Sequence, residues 1–318
     1  LMKNIGMIIS MFLLVICCTC SAENQMKPEN GENVVRYWAP QIPESITFCG
    51  ENINLSNYYL RERFDRELLS FSYWHSQVFL MIKRANKFFP IIEPILKENG
   101  VPEDFKYLAL IESNLDQRAI SPAKAAGIWQ LLPATAKEYG LIVNDDVDER
   151  YNVEKSTKAA CDFLKRSYEK TGNWVTAAAA YNTGLARVLK QIELQKTSNY
   201  FEMLFGEETN RYVFRIILAK FVLENPKELG FFLKKEDLYY PMKADIVKVD
   251  SSVPNLTDFA IEKGINYQLL KDANPWLRTN KIINNERKEL FIKIPTQEYL
   301  KNPQKGGSVH FEKWVVNP

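Results

Sequence analysis

The chain predicts a mainly α protein that ends in a small α+β module, and three observations carry that expectation. Between about residues 60 and 226, apolar side chains recur at spacings of three and four, the period of amphipathic helices. Beyond about 240, "DIVKV" and "ELFIKIP" alternate apolar with polar residues, as strands do. The breaks between periodic runs carry turn and stop residues: Asn99-Gly100, Gly172, Gly184 and Asn225-Pro226.

Composition sets the outer limits. At 318 residues, with 46% hydrophobic and 25% charged residues, the chain has room for one large domain and a smaller one. A net charge of +2 and the lack of any long Lys/Arg run argue against a nucleic-acid partner. Lys3, the apolar run from Ile5 to Ile16, and the small residues and cysteines ahead of "ENQ" read as a signal peptide over 1–22. The apolar run falls short of the about 20 residues that a spanning helix needs. Cleavage after Ala22 predicts a soluble exported form, whereas lipid modification of Cys17, Cys18 or Cys20 predicts an anchored one; both stay open. Of the remaining cysteines, Cys49 and Cys161 either pair in an oxidising compartment or stay free, with Cys161 as a buried thiol.

Residues 23–59 are polar, with Pro40, Pro43 and Gly50 as punctuation, and read as an extended N-terminal arm. The stretch from 60 to 100 reads as three short helices, broken at Pro90 and closed by Asn99-Gly100. A further helix carries Glu112, and "RAISPAKAAGIWQLLPATAKEYG" is a turn-rich segment followed by a helix. The loop "NDDVDE" at 144–149 has the alternating Asn144, Asp146 and Asp148 of a calcium loop. Glu149, however, stands where the tight-turn glycine belongs, and Lys155 where the bidentate glutamate belongs, so it reads as a solvated acidic loop. Val153, Thr157, Ala160, Leu164 and Tyr168 mark a helix stopped at Gly172, and Trp174, Ala177, Ala178 and Tyr181 another stopped at Asn182 and Gly184. A long helix runs from about Arg211 to Glu224. Past 240 the order is strand, helix, helix, strand, with Asn255 and Asn266 as helix caps, which defines a module over 244–296. Residues 297–318 form a tail with no pattern that places it.

Within "LALIESNLDQ", Glu112 follows Phe105, Leu108 and Ala109 at spacings of seven, four and three, so its side chain projects along the apolar stripe of its helix. Tyr107, Leu110 and Ile111 occupy the other faces, which predicts a helix enclosed by protein. A carboxyl in such a place has its pKa raised and is rarely left without a partner. The decapeptide alone leaves two readings, a structural ion pair or a working acid. Elsewhere, chemistry is excluded by absence. The two histidines, His75 and His310, lie far apart without ligand-spaced partners, which disfavours a zinc site and a Ser-His-Asp arrangement. No glycine-rich loop follows a strand to cradle a nucleotide. What is left is an acid in an apolar setting, a turn bearing Ser and Gln, and a later Tyr-Asn pair. That is equipment for glycosidic cleavage, in which an acid of raised pKa protonates the leaving oxygen. Most such enzymes use a second carboxylate; Asp116, near the helix end, reads instead as a surface or cap residue.

"IESNLDQRAISPAKAAGIWQLLPATAKEYGL", "AAAAYNTG" and "ETNRYV", in that order, resemble the successive motifs of the soluble-lytic-transglycosylase (SLT) catalytic family across about residues 60 to 225. The resemblance implies a lysozyme-like catalytic domain, taken as 60–230. It also implies cleavage of the β-1,4 bond between N-acetylmuramic acid and N-acetylglucosamine of peptidoglycan without water. By position, Glu112 matches the family's single catalytic acid, which protonates the leaving oxygen and then, as carboxylate, takes the proton of the muramyl 6-hydroxyl as a 1,6-anhydro ring closes. The muramyl N-acetyl group assists in place of a second carboxylate. Ser121, Gln130, Tyr181, Asn182, Glu208 and Tyr212 match substrate-binding or cleft-lining positions. On their spacing alone, Tyr181 also fits a core position and Glu208 a helix N-terminus.

Two departures stand out. Lys124 replaces a customary loop glycine, which predicts strain if that position needs a positive φ, and Leu185 replaces a proline after "AYNTG". The 244–296 module resembles a LysM glycan-binding domain through its strand order and "DANP". Its start reads Val253-Pro254-Asn255-Leu256 in place of the usual Gly-Asp-Thr-Leu, making it a degenerate example. The resemblance implies no cofactor and no metal. It implies peptidoglycan glycan strands as the partner and a periplasmic location, with the outer membrane as the seat of a lipid-anchored form. A hydrolytic lysozyme of the same fold and a non-catalytic wall-binding protein are the two other readings.

Overall fold

The computed structural model describes residues 39–316, and from Pro40 onward the chain forms one compact unit. The expected signal peptide and the first part of the expected arm lie outside the described residues. Where the sequence predicts the rest of that arm, a hairpin forms instead. β1 (Ser45–Phe48) pairs antiparallel with β2 (Glu51–Asn54), and the turn runs through Cys49 and Gly50 at φ of 51° and 82°. Ile46, Phe48, Ile53 and Leu55 face inward, and the Phe48 ring meets Phe105 edge-on. The period of two is present in the sequence, but polar neighbours dilute it until a core exists to receive its apolar half.

Two helices, not three, span the next segment. α1 (Tyr58–Ser72) is capped by Asn57, whose side chain accepts the Tyr59 N–H, and α2 (His75–Glu98) continues through both Pro90 and Pro94. Each internal proline costs a helix about 3 kcal/mol. Val78, Met81, Ile82, Phe88, Phe89, Ile92 and Leu96 are buried along α2, and their packing outweighs the local preference. α3 (Lys106–Ser113) is short and ends where Asn114 and Leu115 turn left-handed, at φ of 51° and 53°. α4 (Pro133–Glu138) follows the turn-rich segment. α5 (Val153–Thr171) is capped by Asn152 and stopped by Gly172, and α6 (Trp174–Thr183) is capped by Asn173. α7 (Leu185–Gln195) was not foreseen, although Leu185, Val188 and Ile192 carry its period. α8 (Glu207–Glu224) begins a turn earlier than the sequence suggests and packs against α1, α3 and α6 at the centre of the helical domain.

The C-terminal module has the expected strand, helix, helix, strand order. β3 (Ala244–Val249) pairs antiparallel with β4 (Leu290–Pro295), Val247 opposite Ile292, and α9 (Leu256–Glu262) and α10 (Tyr267–Ala273) lie between them, capped by Asn255 and Asn266. Its core of Leu256, Leu270, Trp276, Leu290 and Ile292 is continuous with Val147 and Tyr151 of the helical domain.

The acidic loop is not solvated as a whole. Asp148, Glu149 and Arg150 are buried. Arg150 donates to Asp148 from Nε to Oδ1 at 2.9 Å and from Nη2 to Oδ2 at 2.7 Å, while Glu149 pairs with Lys155. The same loop docks the module: the Asp148 N–H donates to the Trp276 carbonyl at 2.8 Å, and the Asp146 carbonyl accepts the Arg278 N–H at 2.8 Å. A run of acids in sequence says nothing about cations that fold back onto it, and here two do. After α11 (Gln297–Lys301) the tail returns to the helical domain, where the buried Trp314 indole donates to the Leu223 carbonyl at 2.7 Å. Cys49 and Cys161 are free thiols, Cys161 being buried, so the disulfide alternative does not form.

Candidate active site

Glu112 occupies the last turn of α3, because the left-handed residues at 114 and 115 end the helix just beyond it. The apolar residues one turn back place its carboxyl against the core, while its outer side opens to a cleft. Burial pushes the carboxyl up to about 7 from an ordinary 4.5, opposed by the hydrogen bond from Tyr212 and by the charge of Arg215, and assisted by Glu208. Tyr212, buried on α8, donates its hydroxyl to Glu112 Oε1. Burial and the neighbouring carboxylate hold the Tyr212 phenol well above its usual range, so it remains a donor at working pH.

The opposite wall is the segment from 119 to 131, folded on itself through bridges of Ala126 with Ile120 and with Leu131. Ser121 closes its tip. The Ser121 carbonyl accepts the Lys124 N–H at 2.8 Å, and its Oγ accepts the Ala125 N–H at 3.0 Å. Lys124 stands at φ 63°, so the position the sequence marked as doubtful is left-handed, at roughly 1–2 kcal/mol for a residue with a Cβ. Gly127 is obligatory: at φ 76°, an added Cβ would lie 2.0 Å from the Arg150 carbonyl oxygen. Gln130, at φ 47°, turns its amide back to donate to the Gly127 carbonyl at 2.9 Å. Arg150 clamps both limbs, its Nη1 donating to the carbonyls of Lys124 at 2.6 Å and Leu131 at 3.1 Å.

α6 closes the cleft. The Tyr181 hydroxyl donates to the Trp129 carbonyl at 2.7 Å, and the Trp129 indole donates to Thr157 at 2.8 Å, which ties the loop to α5. Asn182 donates to Glu208 Oε1 at 3.2 Å and accepts from Thr209 Oγ1 at 2.8 Å. Glu112, Ser121, Gln130, Tyr181, Asn182 and Glu208 thus line a single cleft of about 400 Å³, with Tyr212 behind Glu112. Leu132, Thr135 and Phe163 complete the wall. Sequence reasoning missed Arg150 and Thr209; Arg150 directly follows the acidic run 144–149, and that run was its only local signal. Among the described residues, no group of three or more His, Cys, Asp or Glu could hold a metal ion. Chemically the cleft offers one proton held near neutrality, amide and hydroxyl groups for a polar ligand, and an apolar floor.

Residues 89–204 match the family described as Transglycosylase SLT domain. Residues 245–298 match the Soluble lytic transglycosylase C-terminal LysM-like domain, so the chain carries both, a mainly α lysozyme-like domain followed by a LysM-like one. It is similar to membrane-bound lytic murein transglycosylase D of Escherichia coli strain K12, 31% identical over 236 residues, covering 71% of this chain and 50% of that protein. The protein of the same name from Escherichia coli O6:H1 matches with the same figures. The chain therefore spans about half the length of the curated relatives it matches. Among solved structures, an inactive mutant of the lytic transglycosylase Slt from Pseudomonas aeruginosa aligns at 22% identity and a TM-score of 0.36, covering 42% of this chain and 23% of that one.

Proposed function

We propose that the protein is a peptidoglycan lytic transglycosylase, cleaving the β-1,4 bond between N-acetylmuramic acid and N-acetylglucosamine to leave a 1,6-anhydromuramyl end. The observation that carries this reading is the state of Glu112: a carboxyl on the cleft wall, pushed up to about 7 by burial, with a phenol and, among the described residues, no cation hydrogen-bonded to it. Because Tyr212 occupies Oε1, the transferable proton resides on Oε2. Glu112 gives that proton to the leaving O4 as the C1–O4 bond breaks, and the N-acetyl oxygen of the same sugar holds the charge that develops at C1. The resulting carboxylate takes the proton of the 6-hydroxyl, O6 bonds to C1, and Glu112 returns to its protonated form. Atoms balance without water. Ser121, Gln130, Tyr181, Asn182 and Glu208 orient the sugars. In this reading 60–230 is the catalytic domain, and 244–296 contacts glycan strands. The protein works in the periplasm after export through residues 1–22, in soluble form or lipid-anchored at the outer membrane.

A second reading rests on Glu208, the other acid lining the cleft. Were it to direct a water to C1, the enzyme would be a hydrolytic lysozyme. Digestion of purified sacculi followed by mass analysis separates the two: 1,6-anhydromuramyl ends support transglycosylation, and reducing muramyl ends require hydrolysis. Absence of any released fragment would leave a wall-binding protein.

A further inference from the structure

A second and larger cavity, about 740 Å³, adjoins the cleft and shares Glu208 with it. Its volume falls within the range of ligand sites, and it is open along one side. One wall is the exposed end of α1 and the start of α2, where Tyr73 and Trp74 present their rings; the other is the first turns of α8, where Glu208, Arg211 and Arg215 follow one another along one face.

The charges along this groove are unequally answered. Arg211 is held by Glu67 in a two-point pair, Nε to Oε1 at 2.6 Å and Nη2 to Oε2 at 3.1 Å. Glu207 is held by Arg66 at 3.0 Å. Arg215 is half-buried, lines the groove, and has no ion pair or hydrogen bond among the described residues. A guanidinium that is partly desolvated and unmatched is built for an external anion, and its planar fork suits a carboxylate.

We propose that this groove receives the peptide stem of the substrate, an acidic peptide, with one stem carboxylate on Arg215 and an aliphatic part against Trp74. The inference rests on the function proposed above. Peptidoglycan chemistry supplies the ligand, because muramic acid, unlike glucosamine, carries through its lactyl ether a short peptide with free carboxylates. A muramyl unit next to Glu112 therefore projects a chain of negative charge beside the cleft, and the groove past Glu208 is where an unanswered cation stands. Specificity for stem-bearing strands follows, while the glycosidic chemistry stays with Glu112.

The test uses one batch of glycan strands in two forms, with their stems and stripped of them by an amidase. The readout is the ratio of kcat/KM on the two forms. The wild type is expected to favour stem-bearing strands about tenfold, the scale of one charge-assisted hydrogen bond. Arg215→Gln brings the ratio close to one, Arg215→Lys keeps part of the preference, and Trp74→Ala lowers it without touching the cation. Any effect of Arg215 on Glu112 alters both rates together and cancels in the ratio. A wild-type ratio near one, or a ratio unchanged in Arg215→Gln, overturns the assignment while leaving the function intact. Failure of the wild type to cleave either form overturns the function, and the groove's role with it.

Discussion

Glu112 and Asp148 are both acids drawn out of water, yet one is poised for chemistry and the other is structural. Asp148 meets the Arg150 guanidinium at two points, 2.7 and 2.9 Å, and its backbone N–H holds the Trp276 carbonyl of the C-terminal module. Among the described residues, the Glu112 carboxyl accepts a hydrogen bond from a phenol alone, and the cation that influences it, Arg215, makes no hydrogen bond to it. Burial against a matched guanidinium stabilises a charge in place; burial without one favours the proton, and a single neutral donor only partly opposes it. The two environments also depend on each other. Arg150, fixed by Asp148, holds the carbonyls of Lys124 and Leu131 on either side of the wall that faces Glu112.

The largest expected effect falls on Glu112. Glu112→Gln keeps the shape and removes the transferable proton, and sacculus solubilisation should fall between about a hundred- and ten-thousand-fold. Full activity in that variant would remove Glu112 from the mechanism. Next comes the structural acid. Asp148→Ala strands a buried guanidinium and should destabilise the fold by roughly 3–5 kcal/mol in urea titrations. The double change Asp148→Leu, Arg150→Met should regain part of that loss but not the activity, since the Lys124 and Leu131 carbonyls would still lack their donor.

The third test reads the same contrast through pH. Folding raises the pKa of Glu112 from 4.5 to about 7, so the folded state binds this proton more tightly. The resulting stability is fully present below the unfolded value and is lost as pH rises through about 7. Glu112→Gln, neutral throughout, should therefore exceed the wild type above that pH by on the order of 3 kcal/mol. The difference should vanish toward pH 4, and thermal melts across the range would follow it. Wild-type activity should hold at lower pH and decline as pH rises through about 7, because the general acid must be protonated. The smallest effect belongs to Lys124. Glycine relieves its left-handed strain but adds freedom to the unfolded chain, for a net gain of about 0.5–1 kcal/mol in Lys124→Gly. A loss of stability there would mean that the lysine side chain holds the loop tip.

Much of the helical domain was legible because its signals are local. The α5 helix starts at Asn152 and stops at Gly172, and both ends are written in adjacent residues. The misreadings came where a local rule met a tertiary force. Pro90 and Pro94 lie inside a helix because the side chains around them fill the core, and Asp148 and Glu149 lie inside the protein because Arg150 and Lys155 answer them. Ser121, Gln130 and Tyr181 could be named from motifs. That Tyr181 would support the cleft wall through the Trp129 carbonyl could not, since the two lie 52 residues apart.

The sequence by itself determined the helix stops at Gly172 and Gly184, the caps at Asn255 and Asn266, which module follows which, and that Glu112 projects from an apolar stripe, because periodicity and capping act over a single turn of chain. Only the tertiary structure decided what Glu112 meets. Among the described residues, the one hydrogen bond to its carboxyl comes from Tyr212, 100 residues away, and its acidity depends on how completely the surrounding helices exclude water and cations. Desolvation belongs to the packed assembly, not to any segment of it.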